Sequence, residues 1–412
     1  MMRETYDSRT LWTLTGVAMR IGENLGLHRD GAKLRLLPLE VELRRRLWWQ
    51  IIILDGRSGE LSGTNTSISD NQWDTKLPLN INDRDLSPDM TVFPPERPGA
   101  TEMIFCLLRY EVGEYFRNMK SSNTVDRPWE KLASQEKSIA DKEKAVDDLE
   151  RLLQDKFLKY CDPLDPLHVL CSSIARTVIC KSRLVAYHPR YRLQHGATVT
   201  EQERDMLFLT SLKIIEYCNY VQSTKSMQRF LWHVRDAFQW DAFIYLLSEL
   251  RFRSAGTVVD KAWRHIEEVF EHHPEIIDNE KKALHVAIAS LTLKAWAPKE
   301  AKLTRAHQNF TPQCEAPGFI AKIRAQRSNS PCRARDTPPG GSVVQGSSED
   351  TPQDSEQRQQ SAFDGSVAVL GAPQMPDFTY MPMSPMEWAM WDDLLQDSLL
   401  ECREGVGSHS LR

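Results

Sequence analysis

Eight cysteines, at positions 106, 161, 171, 180, 218, 314, 332 and 402, are spread through a chain of 412 residues, and no two are separated by two residues. The paired spacing that zinc fingers, ribbons and clusters require is absent from this sequence. Most of these cysteines lie in apolar, helix-patterned stretches, where a reduced thiol behaves as a small hydrophobe. The first residues, Met1-Met2-Arg3-Glu4-Thr5-Tyr6-Asp7, are too polar for a secretory signal, so a reducing compartment is expected. No apolar run reaches the length needed to span a bilayer, and the expectation is a soluble chain with no membrane partner. Excess positive charge is lacking too. The net charge is −5, whereas a chain that holds nucleic acid unaided carries a basic domain or stripe. Glycine-rich phosphate loops and Gly-x-Ser-x-Gly elbows are missing, and so is any sustained period-two stretch that could form the strand beneath them. No spaced set of histidines and carboxylates demands catalysis, so no catalytic or cofactor-binding residue is assigned and the chain is read as a non-enzyme.

What remains is helical patterning. Leu11, Leu14, Val17, Ala18, Ile21 and Leu25 recur at the steps of one buried helix face, and Gly26 fits a C-terminal cap. A second helix is expected from about Leu39 to Leu54. Its apolar residues Leu43, Leu47, Trp48, Ile51, Ile52 and Leu54 cover more than one face, which suits a central position. Glu40 with Arg44, and Glu42 with Arg46, set acid before base at the favourable helical spacing. Between Gly56 and Arg97, Gly, Ser, Asn, Asp and Pro dominate and predict a long ordered loop. Further helices are expected at about Thr101–Met119, Trp129–Tyr160, Asp165–Ala186, Glu201–Tyr220, His233–Arg253, Thr257–Glu271 and Asn279–Ala297. The fold class is therefore all-α, a multi-helix domain over residues 1–297. A Ser-, Pro-, Gly- and Gln-rich linker expected to be disordered follows over residues 298–372, then a short acidic-aromatic tail over 373–403.

Two constellations have bland and sharp readings. The run Arg44-Arg45-Arg46-Leu47-Trp48-Trp49 interleaves bases with aromatics as a nucleic-acid surface would. The apolar breadth of its helix argues instead for tryptophans in the core and arginines paired to glutamates or capping carbonyls. His265, Glu268 and His272 could share a helix face, yet His272-His273-Pro274 reads as a helix C-terminus, so no metal ligand is assigned.

The tail is the second source of information. Pro373–Cys402 holds six acidic residues and no basic one, interleaved with aromatic, methionine and leucine side chains. That is the composition of an activation segment. Phe378 and the set Trp388, Trp391, Leu394 and Leu395, the latter at i, i+3, i+6 and i+7, are its candidate anchors for a coactivator or the transcription machinery. The plain alternative is a C-terminal helix that docks back on the domain.

Three phrases in the first hundred residues carry a family resemblance. The first is Leu11 to Gly31, containing Gly26-Leu27-His28-Arg29-Asp30. The second is Glu42 to Asp55, containing Arg45-Arg46-Leu47-Trp48-Trp49. The third runs through Ile68-Ser69-Asp70 and Trp73-Asp74-Thr75-Lys76-Leu77-Pro78 to Asn82-Asp83. In this order and approximate spacing they resemble the fungal-specific transcription factor domain, the middle homology region of zinc binuclear cluster regulators, and most closely the branch found beside secondary-metabolite gene clusters. The chain departs from the pattern at Asp55-Gly56-Arg57 and Gly63-Thr64-Asn65. The resemblance implies an all-helical regulatory fold, a nuclear location and control of transcription by RNA polymerase II. It implies zinc only in an upstream cluster that this sequence does not contain, so DNA is to be reached through that missing cluster or through a partner, as a homodimer or heterodimer. The family's domain begins earlier than this sequence does, so the resemblance also implies that residues 1–297 are an N-terminally incomplete copy. A regulator without a cluster that binds a full-length factor stays open as an alternative, as does a truncated chain that exposes apolar helix faces for want of part of its core, and a helical ligand-binding protein or enzyme as an outside one.

Overall fold

The computed structural model describes residues 8–62, 64, 72–119, 128–134, 137–188, 200–234, 238–279, 283–306 and 316–329. Thirteen α-helices are found among them: α1 Ser8–Asn24, α2 Pro38–Ser62, α3 Ile104–Asn118, α4 Pro128–Ala133, α5 Ile139–Lys156, α6 Pro166–Tyr187, α7 Glu201–Ser223, α8 Leu231–Val234, α9 Trp240–Leu250, α10 Thr257–His272, α11 Glu275–Asp278, α12 Ala283–Ala306 and α13 Gly318–Asn329. No strand forms among the described residues.

Local signals fix several helix ends. Asp165 caps α6 by accepting from the Leu167 amide at 2.7 Å, with Pro166 as the first helical residue. Thr200 and Glu203 form a reciprocal capping box on α7. The expected single helix over 129–160 is instead α4 and α5, because Ser138 caps α5 by accepting from the Asp141 amide at 3.1 Å. The residue pattern of 233–253 likewise divides into α8 and α9.

The apolar side chains form two main cores. One gathers α2, α3, α5 and α6 around Trp48, Trp49, Tyr110, Phe116, Leu149 and Cys171. The other gathers α9, α10, α12 and α13 around Phe243, Leu247, Ile266, Ile288 and Ile320. Helix α7 serves both. Its Leu207 and Ile214 enter the first core, and Phe208, Leu212 and Ile215 enter the second. A helix buried on two sides has little amphipathic asymmetry, and α7 packs most extensively on α6 and then on α9 and α10.

Three further sequence expectations change. Helix α2 does not stop at Leu54 but continues through Gly56 to Ser62, so the expected loop begins two turns later. A glycine inside a helix costs only about 1 kcal/mol, and here Ser58 and Gly59 are buried while Glu60 binds Lys181 of α6 at 2.6 Å. Helix α12 likewise runs through Pro298 to Ala306, and α13 buries Phe319, Ile320 and Ile323 in the second core. Ordered structure thus enters the stretch expected to be linker. The third change concerns α1. The stripe expected to be buried is turned outward: Leu14, Val17, Ile21 and Leu25 are 39, 45, 55 and 56% exposed. Gly16, Met19 and Gly22 are buried in its place. A Cβ on Gly22 would stand 3.3 Å from the Trp48 ring and 3.4 Å from Ile51, so the glycine is what lets α2 lie close against α1.

Candidate functional site

The described parts of the three phrases that carry the resemblance converge on one place, the junction of the α1 C-terminus, the N-terminal half of α2 and the loop from Trp73 to Asp83. Helix α1 ends with a paired cap: the Gly26 amide donates to the Glu23 carbonyl at 2.9 Å and the Leu27 amide to the Gly22 carbonyl at 2.8 Å. Gly26 takes φ of 71° to make it, in the left-handed region that favours glycine. The turn carries His28, Arg29 and Asp30 back toward α2.

Asp30 is fully buried and forms the centre of the junction. Its carboxylate accepts from Arg45 Nε at 2.8 Å and Arg45 Nη2 at 2.9 Å, from the Lys76 amide at 2.9 Å and from the Ala32 amide at 3.1 Å. One side chain thus binds α2, the loop and its own turn. Burial pushes its pKa up, but Arg45 and the two amides outweigh that and hold the carboxyl below its ordinary value. Asp74 answers from the loop by accepting from the Asp30 amide at 2.9 Å and Lys33 Nζ at 2.8 Å, with Arg29 at 3.7 Å. These partners, Lys33 first, hold its carboxyl low as well. The Asp74 amide donates to the His28 carbonyl at 3.0 Å, and the Thr75 hydroxyl to the Leu27 carbonyl at 2.6 Å.

The consecutive arginines part ways because successive helical side chains point about 100° apart. Arg44 donates to the Leu25 carbonyl at 2.6 Å and lies 3.5 Å from Glu40. Arg45 takes Asp30. Arg46 donates to Glu42 at 2.9 Å and to Asp83 at 2.6 Å, and the fully buried Glu42 also accepts from the Leu79 amide at 3.1 Å. Beneath this polar layer lie the tryptophans. Trp49 donates its ring N–H to the Lys76 carbonyl at 3.0 Å, and its ring meets Trp73 edge-on at 5.1 Å and Tyr110 at 5.5 Å. Trp48 meets Trp73 at 6.0 Å and His28 at 6.2 Å. Arg117 of α3 lies over the Trp73 ring at 3.7 Å and donates to its carbonyl at 3.0 Å.

Of the other motif residues, Leu77 is half-buried against the first core and Pro78 is buried. Leu47 is exposed on the outer side of α2. Asp55 is buried near α1, where Thr15 donates to it at 3.4 Å. Asp70 lies outside the described residues, as do the tail anchors Phe378, Trp388, Trp391, Leu394 and Leu395. The sequence set omitted Glu42, Thr75 and Arg117. Only Glu42 had a readable signal, its position four residues before Arg46. The alternative constellation is a brace between helices: His265 Nδ1 sits 2.9 Å from Glu268, which accepts from Asn219 of α7 at 2.9 Å. Among the described residues no group of three or more His, Cys, Asp or Glu is placed to hold a metal ion, and no helix is long and apolar enough to cross a membrane.

The junction is therefore a mechanical clamp whose acids are occupied by guanidinium groups and amides. Its pH dependence follows. Glu60, at the far end of α2, is also held low, to about 2: burial raises its pKa, and Lys181 and Arg57 more than reverse that. Carboxylates with folded pKa values below their unfolded values contribute stability that is complete above about pH 5 and lost as pH falls through the folded pKa. The contribution of these carboxylates to the melting temperature is expected to stay level from pH 8 to 6 and to drop steadily between about pH 5 and pH 2. Circular dichroism melts would check this, with Glu60→Gln flattening part of the slope. A melting temperature that rises on acidification would contradict it.

A family model described as the fungal specific transcription factor domain matches residues 2–182, the stretch that contains the whole clamp. The aurofusarin cluster transcription factor of Gibberella zeae is 37% identical over 303 residues, covering 72% of this chain and 43% of that protein. The pyriculol/pyriculariol biosynthesis cluster transcription factor 1 of Pyricularia oryzae is 31% identical over 302 residues, covering 72% and 40%. A C6 finger domain transcription factor of Trichophyton tonsurans is 25% identical over 351 residues, covering 83% and 45%. The chain spans less than half the length of these curated relatives. No solved structure matches it. The described parts of the three phrases lock into one clamp inside the matched stretch, and residues 2–182 carry a fungal specific transcription factor domain.

Proposed function

We propose that the chain is the regulatory and activating portion of a fungal nuclear transcription factor that controls RNA polymerase II transcription of a secondary-metabolite gene cluster. The observation that carries this reading is the clamp. Residues 26–30, 44–49 and 73–83 are far apart in sequence and build one buried polar and aromatic junction, and relatives that share the stretch are named as cluster transcription factors rather than enzymes. A chain of net charge −5 fits a division of labour. A C6 cluster of the kind named in the relatives, upstream or on a partner chain, reads DNA and carries the zinc. The helical domain transmits regulation. The tail recruits coactivator through Phe378, Trp388, Trp391, Leu394 and Leu395, by folding as it binds.

The tail is tested by fusing residues 373–402 to a neutral DNA-binding module beside a reporter gene in a fungal host. Activation well above the module alone is expected. Alanine at Trp388, Trp391, Leu394 and Leu395 together should reduce it by tenfold or more, since a few buried aromatic and aliphatic anchors carry most of such an interface. A silent reporter with the intact segment would overturn the activation reading.

A further inference from the structure

The last turn of α7 meets the C-terminal half of α10 through histidines. Asn219 donates to the His265 carbonyl and to Glu268, each at 2.9 Å. Gln222 lies 3.1 Å from His273 Nε2, and Ser223 Oγ lies 3.3 Å from His272 Nε2. Two of the three rings hold a carboxylate. His265 Nδ1 sits 2.9 Å from Glu268, and His273 Nδ1 sits 2.9 Å from Glu275 of α11. A proton gained by either ring is met by an anion at hydrogen-bond distance.

His272 differs. Its Nδ1 is buried and has no hydrogen-bond partner, and among the described residues no carboxylate touches either nitrogen. The charged ring carries an N–H on both nitrogens, so in the closed structure one buried donor would go unreceived. Burial first, and the neighbouring His273 second, push the His272 pKa below its ordinary value. Glu268 and Glu271 favour the proton, as does the C-terminal end of α10, and they are outweighed. The facing turn of α7 supplies only the neutral Asn219, Gln222 and Ser223. The next acid back, Glu216, is bound to Lys261 at 2.6 Å, and Lys225 just beyond the turn is exposed. Glu275 is held by His273, and His285 of α12 acts on that same carboxylate.

We propose that His272 is a proton-sensitive latch between α7 and the α10–α11 corner: the neutral ring lets the corner close on α7, and the charged ring releases it. An opened corner exposes the ring, which then takes its proton near the ordinary value of about 6.5. The closed corner takes it only at lower pH. Closure is therefore complete above about pH 6.5 and weakens as pH falls toward the closed-state pKa. That window lies above the one in which the clamp carboxylates titrate. Because α7 serves both cores, release loosens the second core and leaves the clamp as it was. The latch does not depend on reading the chain as a transcriptional regulator.

Hydrogen exchange of the full chain at about pH 7.5 and about pH 5.5, which bracket the ordinary imidazole value, tests this once each rate is corrected for intrinsic amide chemistry. Peptides covering residues 216–223 and 265–278 are expected to lose protection at the lower pH, while those of α2 keep theirs. His272→Gln keeps a donor for Ser223 and has no titrating group, so its seam peptides should be protected equally at both pH values. His265→Gln should retain the response. Equal protection at both pH values in the native chain, or a loss that persists in His272→Gln, would overturn the latch. If His272→Gln does not fold, an NMR titration of the native chain decides: a His272 ring that titrates at or above about 6.5 sinks the proposal.

Discussion

Arg45→Ala is expected to cost the domain about 3–5 kcal/mol, the usual penalty for removing one partner of a buried ion pair. Asp30 would be left with no exposure, keeping the Lys76 and Ala32 amides but no countercharge. The carboxyl would then have to be buried charged or take up a proton, and either outcome loosens the loop from the α1 turn. For a folded unit of this size the change should lower the melting temperature by roughly 6–15 °C. The comparison that gives the result meaning is Lys33→Ala. Lys33 also binds a clamp carboxylate, Asp74 at 2.8 Å, but it is 61% exposed, so its loss should cost no more than about 1 kcal/mol. A third variant, Asp30→Asn with Arg45→Met, removes both charges and should recover part of the loss, because the large term is the stranded ion rather than the pair itself. Equal melting temperatures for Arg45→Ala and Lys33→Ala would show that Asp30 does not organise the junction.

Much of this clamp could be read from the chain. The Gly26 cap, the pairing of Glu42 with Arg46, the Arg44 contact to a terminal carbonyl and the core position of Trp48 and Trp49 follow from spacing and helix geometry. The Arg45–Asp30 pair does not. Three identical arginines in a row carry no mark of which one is buried, and the answer depends on where the turn after Gly26 delivers Asp30. The same limit explains α1. Periodicity locates an apolar stripe but cannot say what covers it. Here the buried side holds Gly16, Met19 and Gly22, and a hydrophobicity pattern does not count a glycine such as Gly22, which admits the neighbouring helix at short range. Pro298 misled in another way: it marks a break by rule, yet α12 continues to Ala306. Phe319, Ile320 and Ile323 sit in a stretch whose average composition hides them, and they still complete the second core.

Trp49→Ala is the other large effect. The side chain is 1% exposed, and its removal should cost about 3–5 kcal/mol through lost burial and an unfilled cavity. Its position makes the loss directional. The ring lies between Trp73 and Tyr110, and its N–H donates to the Lys76 carbonyl, so the residue joins α2 to α3 and to the loop at once. Trp49→Phe separates these roles. It keeps most of the apolar contact and removes the donor, and the penalty for a lost hydrogen bond at a half-buried carbonyl is about 1–2 kcal/mol. If the indole N–H is what holds the loop, Trp49→Phe should lower the melting temperature by only a few degrees while speeding protease cleavage between Trp73 and Arg97 out of proportion to that loss. If packing alone holds it, cleavage should track the melting temperature in both variants. The first outcome would make the loop a unit that opens on its own when one of its ties to the helices is lost, and thus the part of the domain most readily moved by a regulator.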